Sequence, residues 1–474
     1  MFAQTSDNMK KENRYLIGID LGTTTCSVFY IDTVSEPYCP KKFSILQWDR
    51  EGKVVKSDKL PSFCFFPDKK AIKNKEYSLE GLCEDSSSWV LGNLAYRKQT
   101  SEPARVISSA KSWICCDSVN RSDKILPWSS DLVPSNEKLS PIDAMSLFLK
   151  HIRLLWNKSI GFGCDKYSFE LQNIVITIPA SFDPVAQELI IEASIKAGYD
   201  SRTLTLIEEP QAAFYSWLYD VCGVEKGELK NVLVEKIPDI VDSSQSILVC
   251  DIGGGTCDFS LFSVGITDEA EEGFYIKRTS VGDHILLGGD NIDLAVASLF
   301  EDKFNDLYKT KLTAKQWDSL VASIRGIKEE IFSLNGIDKD VFISIDSNTK
   351  NLFAGCVSIG INKKKIIDYI LSRFFPLCKL GDNVTQRKSS LCHWGLQYAH
   401  DLAFTRHLAK FLSGKNVDAV LFVGGSLIPQ VFQEKIIDNL SSWYKKNIIK
   451  LSQYSLDLSV SRGASVFALA NEGK

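Results

Sequence analysis

The thirteen cysteines of this 474-residue chain form no C-x-x-C pair, and its five histidines stand at no metal-ligand spacing from a cysteine. Both absences argue against a zinc site. No apolar run approaches the ~20 residues of a spanning helix, which argues against a transmembrane segment. The polar start, MFAQTSDNMKKENR, has no apolar h-region, so no signal peptide is expected. A net charge of −4 offers no basic balance for gripping nucleic-acid backbones. The cysteine count is odd, Cys115 and Cys116 are adjacent, and Cys26, Cys250 and Cys257 fall in apolar strand patterns where thiols pack as small hydrophobes. That usage predicts a reducing, cytoplasmic setting without membrane or nucleic-acid partners.

What is present is a repeated phrase. Residues 17–29 read IGIDLGTTTCSVF and residues 248–260 read LVCDIGGGTCDFS. Asp20 superimposes on Asp251, Gly22 on Gly253, Thr25 on Thr256 and Cys26 on Cys257. Each copy is an apolar run, an Asp, a turn of small residues and a second apolar run, the pattern of a strand, a phosphate-cradling turn and a returning strand. With 44% hydrophobic and 24% charged residues the chain reads as globular, and its length suits two large lobes, here facing one another across a nucleotide.

The organisation expected from pattern and punctuation runs as follows. Residues 1–13 form a disordered polar tail. Lobe I spans 14–245, with strands at Tyr15–Ile19, Cys26–Ile31 and Phe43–Trp48 and an inserted subdomain over about 49–139, rich in Lys, Asp, Ser and Pro. Ser140 caps a helix at Pro141–Trp156, NIVITIP is a buried strand, Asp183 caps a helix ending at Gly198, and TLTLIEEP runs into another helix. Residues 223–245 read as a linker. Lobe II spans 246–455 with an insert over about 288–385, mostly helix over 291–335 with a turn at Asn335–Gly336. GLQYAHDLAFTRHLAKFLSG (395–414) is a helix, and 456–474 is a C-terminal helix returning to lobe I.

Polyphosphate needs several backbone N–H groups without side chains in the way. Gly22 with Thr23, Thr24 and Thr25, and Gly253, Gly254 and Gly255 with Thr256, offer them. Asp20 and Asp251 are placed to hold hydrated magnesium, which keeps most of its waters. Either Asp, or Asp258, can orient an attacking water. Two further glycine turns stand at LLGGDNID (286–293) and VGGSLIP (423–429), the latter suited to a flat base or ribose.

The ordered set IGIDLGTTT, VITIPASFD, LIEEPQAAF, VCDIGGGTCDFS, VGDHILLGGDNID and LFVGGSLIP resembles the nucleotide-binding domain of the seventy-kilodalton heat-shock chaperones of the DnaK type, over residues 14–470 and in a divergent bacterial branch. The resemblance implies an α/β, actin-like ATPase fold: two lobes, each with a five-stranded-type mixed sheet and flanking helices, ATP/ADP and Mg2+ between them. It implies magnesium water held by Asp20 and Asp251, and β/γ-phosphates met by Thr23, Thr24 and Thr25 and cradled by Gly253–Gly255 and Thr256. It places Glu209 and Asp258 in the catalytic water network, Pro179 as a hinge-like relay, and Gly288 and Gly289 at phosphate. Lys328, Gly424, Gly425, Ser426 and Asp457 fall to the adenosine end. The family's γ-phosphate lysine follows a G-x-A-A segment. Ungapped, that position is Tyr96 in GNLAYRKQ, with Arg97 or Lys98 as substitutes and Arg97 the expected catalytic cation. Glu329 replaces the arginine that follows the adenine lysine, and the turn at Gly424 is one residue short and lacks its arginine. The departures thus fall on the adenine grip and the lysine, not on the phosphate turns.

The function implied is a monomeric, nucleotide-gated ATPase domain of a DnaK-like chaperone, with slow hydrolysis coupled to lobe closure. Implied partners are a peptide-binding domain outside this chain, a J-domain co-chaperone and a nucleotide-exchange factor. The alternatives are a non-hydrolysing nucleotide-gated module, a sugar-kinase-like phosphotransferase and, more distantly, a filament-forming actin-like protein.

Overall fold

The computed structural model describes residues 14–79, 88–114, 119–222, 237, 240, 244–267, 274–283, 285–332, 339–346, 355–385 and 399–472. The 1–13 tail, the Asn335–Gly336 turn, Gly395–Tyr398 and most of the 223–245 linker lie outside these residues.

Both repeats fold as antiparallel hairpins, Tyr15–Leu21 with Thr25–Asp32 and Gln245–Ile252 with Cys257–Ile266. Each hairpin is the centre of a mixed sheet. In the first sheet the order is Leu204–Glu208, Asn173–Ile178, Tyr15–Leu21, Thr25–Asp32, Lys41–Lys42. In the second it is Ile449–Leu451, Ala419–Val423, Gln245–Ile252, Cys257–Ile266, Phe274–Val281. The topology is the same in both: two parallel strands on one side of the hairpin, an antiparallel strand on the other. The first sheet adds a sixth short strand, Leu60–Pro61, beside Thr25–Asp32. Parallel neighbours require a crossover. Helix Pro184–Lys196 supplies it for the outer parallel pair of the first sheet and helix Gln430–Tyr444 for that of the second. The central strands read as near-continuous apolar runs because both faces are covered: Leu16, Ile17, Ile19, Ile247, Leu248 and Val249 have no exposed surface.

Local chemistry explains where the helices start. Ser140 accepts from the Asp143 N–H at 3.0 Å while the Asp143 carboxylate accepts from the Ser140 N–H at 3.2 Å, a capping box that opens helix Pro141–Lys158. Asp183 accepts from the Ala186 N–H at 2.7 Å, and Gly198 closes that helix region at φ +91°. Two expectations need correction. The helix expected from Gly395 begins at Phe404; residues 399–403 are irregular because the Asp401 carboxylate accepts from the Thr385 and Ala403 N–H groups and pins a turn. The strand expected at Phe43–Trp48 begins at Ile45, and Phe43 instead donates its N–H to the Val28 carbonyl.

The last helix, Ser459–Asn471, ties the two sheets together. It packs on helix Glu209–Cys222 and on strand Tyr15–Leu21. One hydrophobic cluster joins Leu16, Val175, Ile247, Val249, Leu421 and Ala464, drawing on both sheets and this helix. Phe214 of helix Glu209–Cys222 stacks on Phe262 of the second sheet, rings 4.8 Å apart. The two helices touch backbone to backbone: a Cβ at Gly463 would lie 1.6 Å from the Ala212 carbonyl oxygen. No helix among the described residues is long and apolar enough to cross a membrane. Gly463→Ala therefore has to push the helices apart, and a loss of about 1–3 kcal/mol is expected in urea denaturation, the cost of overpacking a filled site. A midpoint unchanged from wild type would contradict the contact.

Candidate functional site

The two hairpins are in the same register. Asp20 lies opposite Ser27, and Asp251 lies opposite Asp258. The strand ends that carry them converge on Glu209, the first residue of helix Glu209–Cys222. The result is a group of four carboxylates, with Asp251 and Asp258 buried and Asp20 and Glu209 partly buried. Burial, then the Glu209 charge, pushes Asp20 up to about 7. The same causes, in that order, raise Asp258 to about 7. Asp251 stands well above the ordinary carboxylate range, through burial and the charges of Glu209, Asp258 and Asp20. Hydroxyls hold two of them. Thr177 donates to Asp20 at 3.0 Å and Ser181 donates to Asp258 at 2.7 Å. The Thr256 side chain also bonds Asp258.

A buried cation meets this charge. Lys111, 4% exposed, forms an ion pair with Glu209. It rides on a five-residue helix, Ala110–Ile114, every residue of which is buried. Sequence reasoning missed it. The signal was available: a single lysine in an otherwise apolar and small-residue run, SSAKSWI, has no solvent-facing use there. Arg97, expected as the cation, is not brought to the cluster. It lies on the exposed face of helix Asn93–Ser101 and donates to the Arg50 carbonyl. Lys98 pairs with Glu102 at 2.8 Å, and Tyr96 packs edge-on against Phe63.

The glycine turns close around the carboxylates. Gly22 accepts from the Ser62 hydroxyl at 2.7 Å through its carbonyl, and Gly253 donates to the Thr256 carbonyl at 3.0 Å. A Cβ at Gly254 would lie 1.6 Å from the Thr24 hydroxyl oxygen, and one at Gly255 would lie 2.7 Å from the Thr23 methyl. The two repeats therefore face each other across bare backbone, with Thr25 opening the return strand behind. Among the described residues the buried Thr24 hydroxyl finds no partner. Gly289 donates to the Gly253 carbonyl at 3.0 Å and Gly288 donates to the Asn291 side chain at 2.8 Å, so the LLGGDNID turn docks on the second repeat.

The third turn lies against the same strand. Gly424 holds φ +93°, and a Cβ there would meet the Ile252 carbonyl at 2.3 Å and an Asp251 carboxylate oxygen at 2.7 Å, so only glycine fits. Gly425 opens a short 3-10 turn, and the Ser426 hydroxyl donates to the Gly253 carbonyl at 2.7 Å. Lys328 donates to the Gly289 carbonyl at 3.3 Å and pairs with Asp293 at 2.9 Å. The Glu329 side chain lies outside the described residues. Asp457 pairs with Lys59 and accepts from Ser455 at 2.5 Å; these contacts outweigh its burial and hold its pKa below the ordinary range.

A carboxylate-rich centre rimmed by glycine turns is the donor chemistry of a phosphate site that works with a hard divalent cation. Among the described residues no three His, Cys, Asp or Glu side chains converge closely enough to chelate an ion directly.

Comparison with known proteins identifies the family. The Hsp70 protein family model matches residues 86–351, more than half of the chain, and the chain belongs to the Hsp70 family. That match contains Lys111, Glu209, Asp251, Asp258 and Lys328, while Asp20 and the Gly424 turn lie outside it. The chain is similar to the chaperone protein DnaK of Ureaplasma parvum serovar 3, with 27% identity over 339 residues, covering 70% of this chain and 43% of that protein. It is also similar to the chaperone protein HscA homolog of Rickettsia bellii, with 30% identity over 202 residues, 41% of this chain and 28% of that protein. It thus spans less than half the length of these relatives. The actin-like ATPase fold of the family is a mixed α/β architecture, and the two mixed sheets described above are of that class.

The raised carboxylates make stability depend on pH. A carboxyl whose pKa is higher folded than unfolded binds more protons in the folded state, so its contribution falls as pH rises from about 4 to about 7. Asp258→Asn removes one such group. Its stability relative to wild type is expected to increase between pH 5 and pH 8 in parallel denaturant titrations. A difference that stays flat across this range would mean that Asp258 titrates normally.

Proposed function

We propose that this chain is the ATP-binding and ATP-hydrolysing domain of a DnaK-like chaperone, with two lobes that close on ATP and Mg2+. The observation that carries the reading is the Lys111–Glu209 ion pair set among Asp20, Asp251 and Asp258. When bound, magnesium neutralises phosphate charge and draws the phosphate oxygens into position. The chain supplies the rest. Asp20 and Asp251 would hold waters of the ion. Thr23, Thr24, Thr25, Thr256 and the Gly22, Gly253–Gly255 and Gly288–Gly289 turns take the phosphate oxygens. Lys111 presents a point charge to the γ-phosphate, the role expected of a cation near Tyr96. Glu209 and Asp258 accept hydrogen bonds from the attacking water and align it. Lys328, Gly424–Ser426 and Asp457 border the adenosine.

Pro179 acquires a physical role on this reading. It lies between Thr177, which holds Asp20, and Ser181, which holds Asp258. A shift of either Asp on nucleotide turnover pulls on the same five residues, and a proline there limits how the strain is absorbed. Lobe closure, a J-domain partner, an exchange factor and a peptide-binding domain belong to the same proposal, as does a monomeric state in the cytoplasm. The non-hydrolysing alternative rests on Tyr96 and Glu329; Lys111 answers the first of these, and Glu329 still speaks for it. A sugar-kinase reading would need a hydroxyl acceptor site, and nothing in the geometry favours one.

Single-turnover hydrolysis of labelled MgATP tests the proposal. Wild type is expected to release phosphate, Asp20→Asn none above background, and Lys111→Ala at least about 100-fold less, the scale of removing one preorganised charge at a transition state. Arg97→Ala is expected to match wild type. Equal rates for wild type and Asp20→Asn would sink the hydrolysis claim, and a Lys111→Ala rate near wild type would sink the role of that lysine.

A further inference from the structure

Ser109 is not a glycine, yet its φ is +54°. L-residues adopt this left-handed region at a cost, and such strain persists only where surrounding contacts impose it. The contact here is long-range: the buried Ser109 hydroxyl donates to an Asp290 carboxylate oxygen at 2.9 Å, 181 positions away. The next residue opens helix Ala110–Ile114, which carries Lys111. A five-residue helix has no stability of its own, so its direction depends on what grips its ends. Ser109 is one such grip, and its carbonyl also accepts the Ser112 N–H at 3.0 Å.

Asp290 is itself held from two sides. Its other carboxylate oxygen accepts from Arg325 at 3.0 Å, and its N–H donates to the Gly254 carbonyl at 2.8 Å. Arg325 also donates to Asp293 at 3.2 Å and to the buried Gln99 at 3.1 Å, and its guanidinium lies 5.6 Å from the Phe63 ring centre. Beside it Ser319 donates to the Thr100 carbonyl at 3.1 Å. These contacts join two stretches distant in sequence, 63–109 and 289–325, at one place.

We infer that Ser109 is a positioning residue for Lys111, and that Arg325 controls it one contact removed, by holding Asp290. The geometry makes the lysine's reach to Glu209 conditional. While the two stretches stay joined, Ser109 is anchored and Lys111 points into the carboxylates. When they separate, the Asp290 anchor leaves, Ser109 relaxes from its left-handed backbone and the short helix is free to turn. The kinetic part of this inference rests on the proposed ATPase reading; the structural part does not.

Amide hydrogen exchange of the full chain without nucleotide tests the structural part. Arg325→Gln touches nothing in the Lys111 helix, yet it is expected to raise exchange over residues 110–114 about tenfold, the effect of losing one charge-assisted hydrogen bond. Ser109→Gly is expected to do the same without lowering thermal stability, because it removes the hydroxyl and the backbone strain together. The double variant is expected to exceed neither single one. Exchange over 110–114 that stays at the wild-type rate in either single variant overturns the inference, as does a strictly additive double variant. In single-turnover assays both variants are expected to lower the rate of phosphate release and leave the half-saturating MgATP concentration unchanged; a change confined to that concentration would overturn the positioning role. A wild type inert toward ATP would end the ATPase reading, and the exchange results would still decide the coupling.

Discussion

Four carboxylates sharing one buried lysine is an arrangement that only a surrounding scaffold can sustain. Asp20, Glu209, Asp251 and Asp258 repel one another, and burial weakens the screening that would separate them in water. The chain keeps them together by mounting each on a rigid element: two on the first strands of the hairpins, one on a return strand and one at the start of a helix. Thr177 and Ser181 then fix two carboxylates by hydrogen bonds, and Lys111 offsets part of the charge. Sheets buried on both faces are what make the elements stiff enough. The site is therefore a reason for the size of the core as well as a product of it.

The two halves of the centre are unequal although their scaffolds match. Across the first hairpin Asp20 faces Ser27, whose hydroxyl is engaged with Ser461 at 2.7 Å. Across the second, Asp251 faces Asp258, another carboxylate. One substitution in equivalent registers thus gives one sheet a packing contact to the last helix and the other a second negative charge. The asymmetry of the chemistry is carried by a single cross-strand pair on an otherwise repeated plan.

Much of this was legible in the residues. The duplicated phrase showed both hairpins, and the Asp at each strand end followed from its place in the pattern. Ser140–Pro141 and Asp183–Pro184 marked helix starts because capping is a local interaction. Lys111 was not legible by the same route. Its partner Glu209 lies 98 positions away, and neither that pairing nor the turn at Ser109 leaves a periodic trace in the sequence. Arg97 misled because a cation near an expected position satisfies a spacing rule, whereas exposure is decided by which face of helix Asn93–Ser101 packs. The irregular stretch before Phe404 was hidden for a related reason: its apolar spacing is helical, but Asp401 captures the N–H groups of Thr385 and Ala403.

The last helix carries a consequence for the order in which the chain can mature. Strand Tyr15–Leu21 is made long before helix Ser459–Asn471, yet Gly18 lies so close to the Ser461 carbonyl that an added Cβ would stand 2.3 Å from it. The shared cluster containing Leu16 and Val175 is completed by Val460 and Ala464. Until those late residues emerge, one face of the earliest sheet remains apolar and open to water. A ribosome-bound chain is thus expected to hold this sheet in an unfinished state until helix Ser459–Asn471 has been made, and long-range closure of this kind is slow. The contact that joins the two sheets in the finished molecule is also the one that sets how long the nascent molecule stays vulnerable.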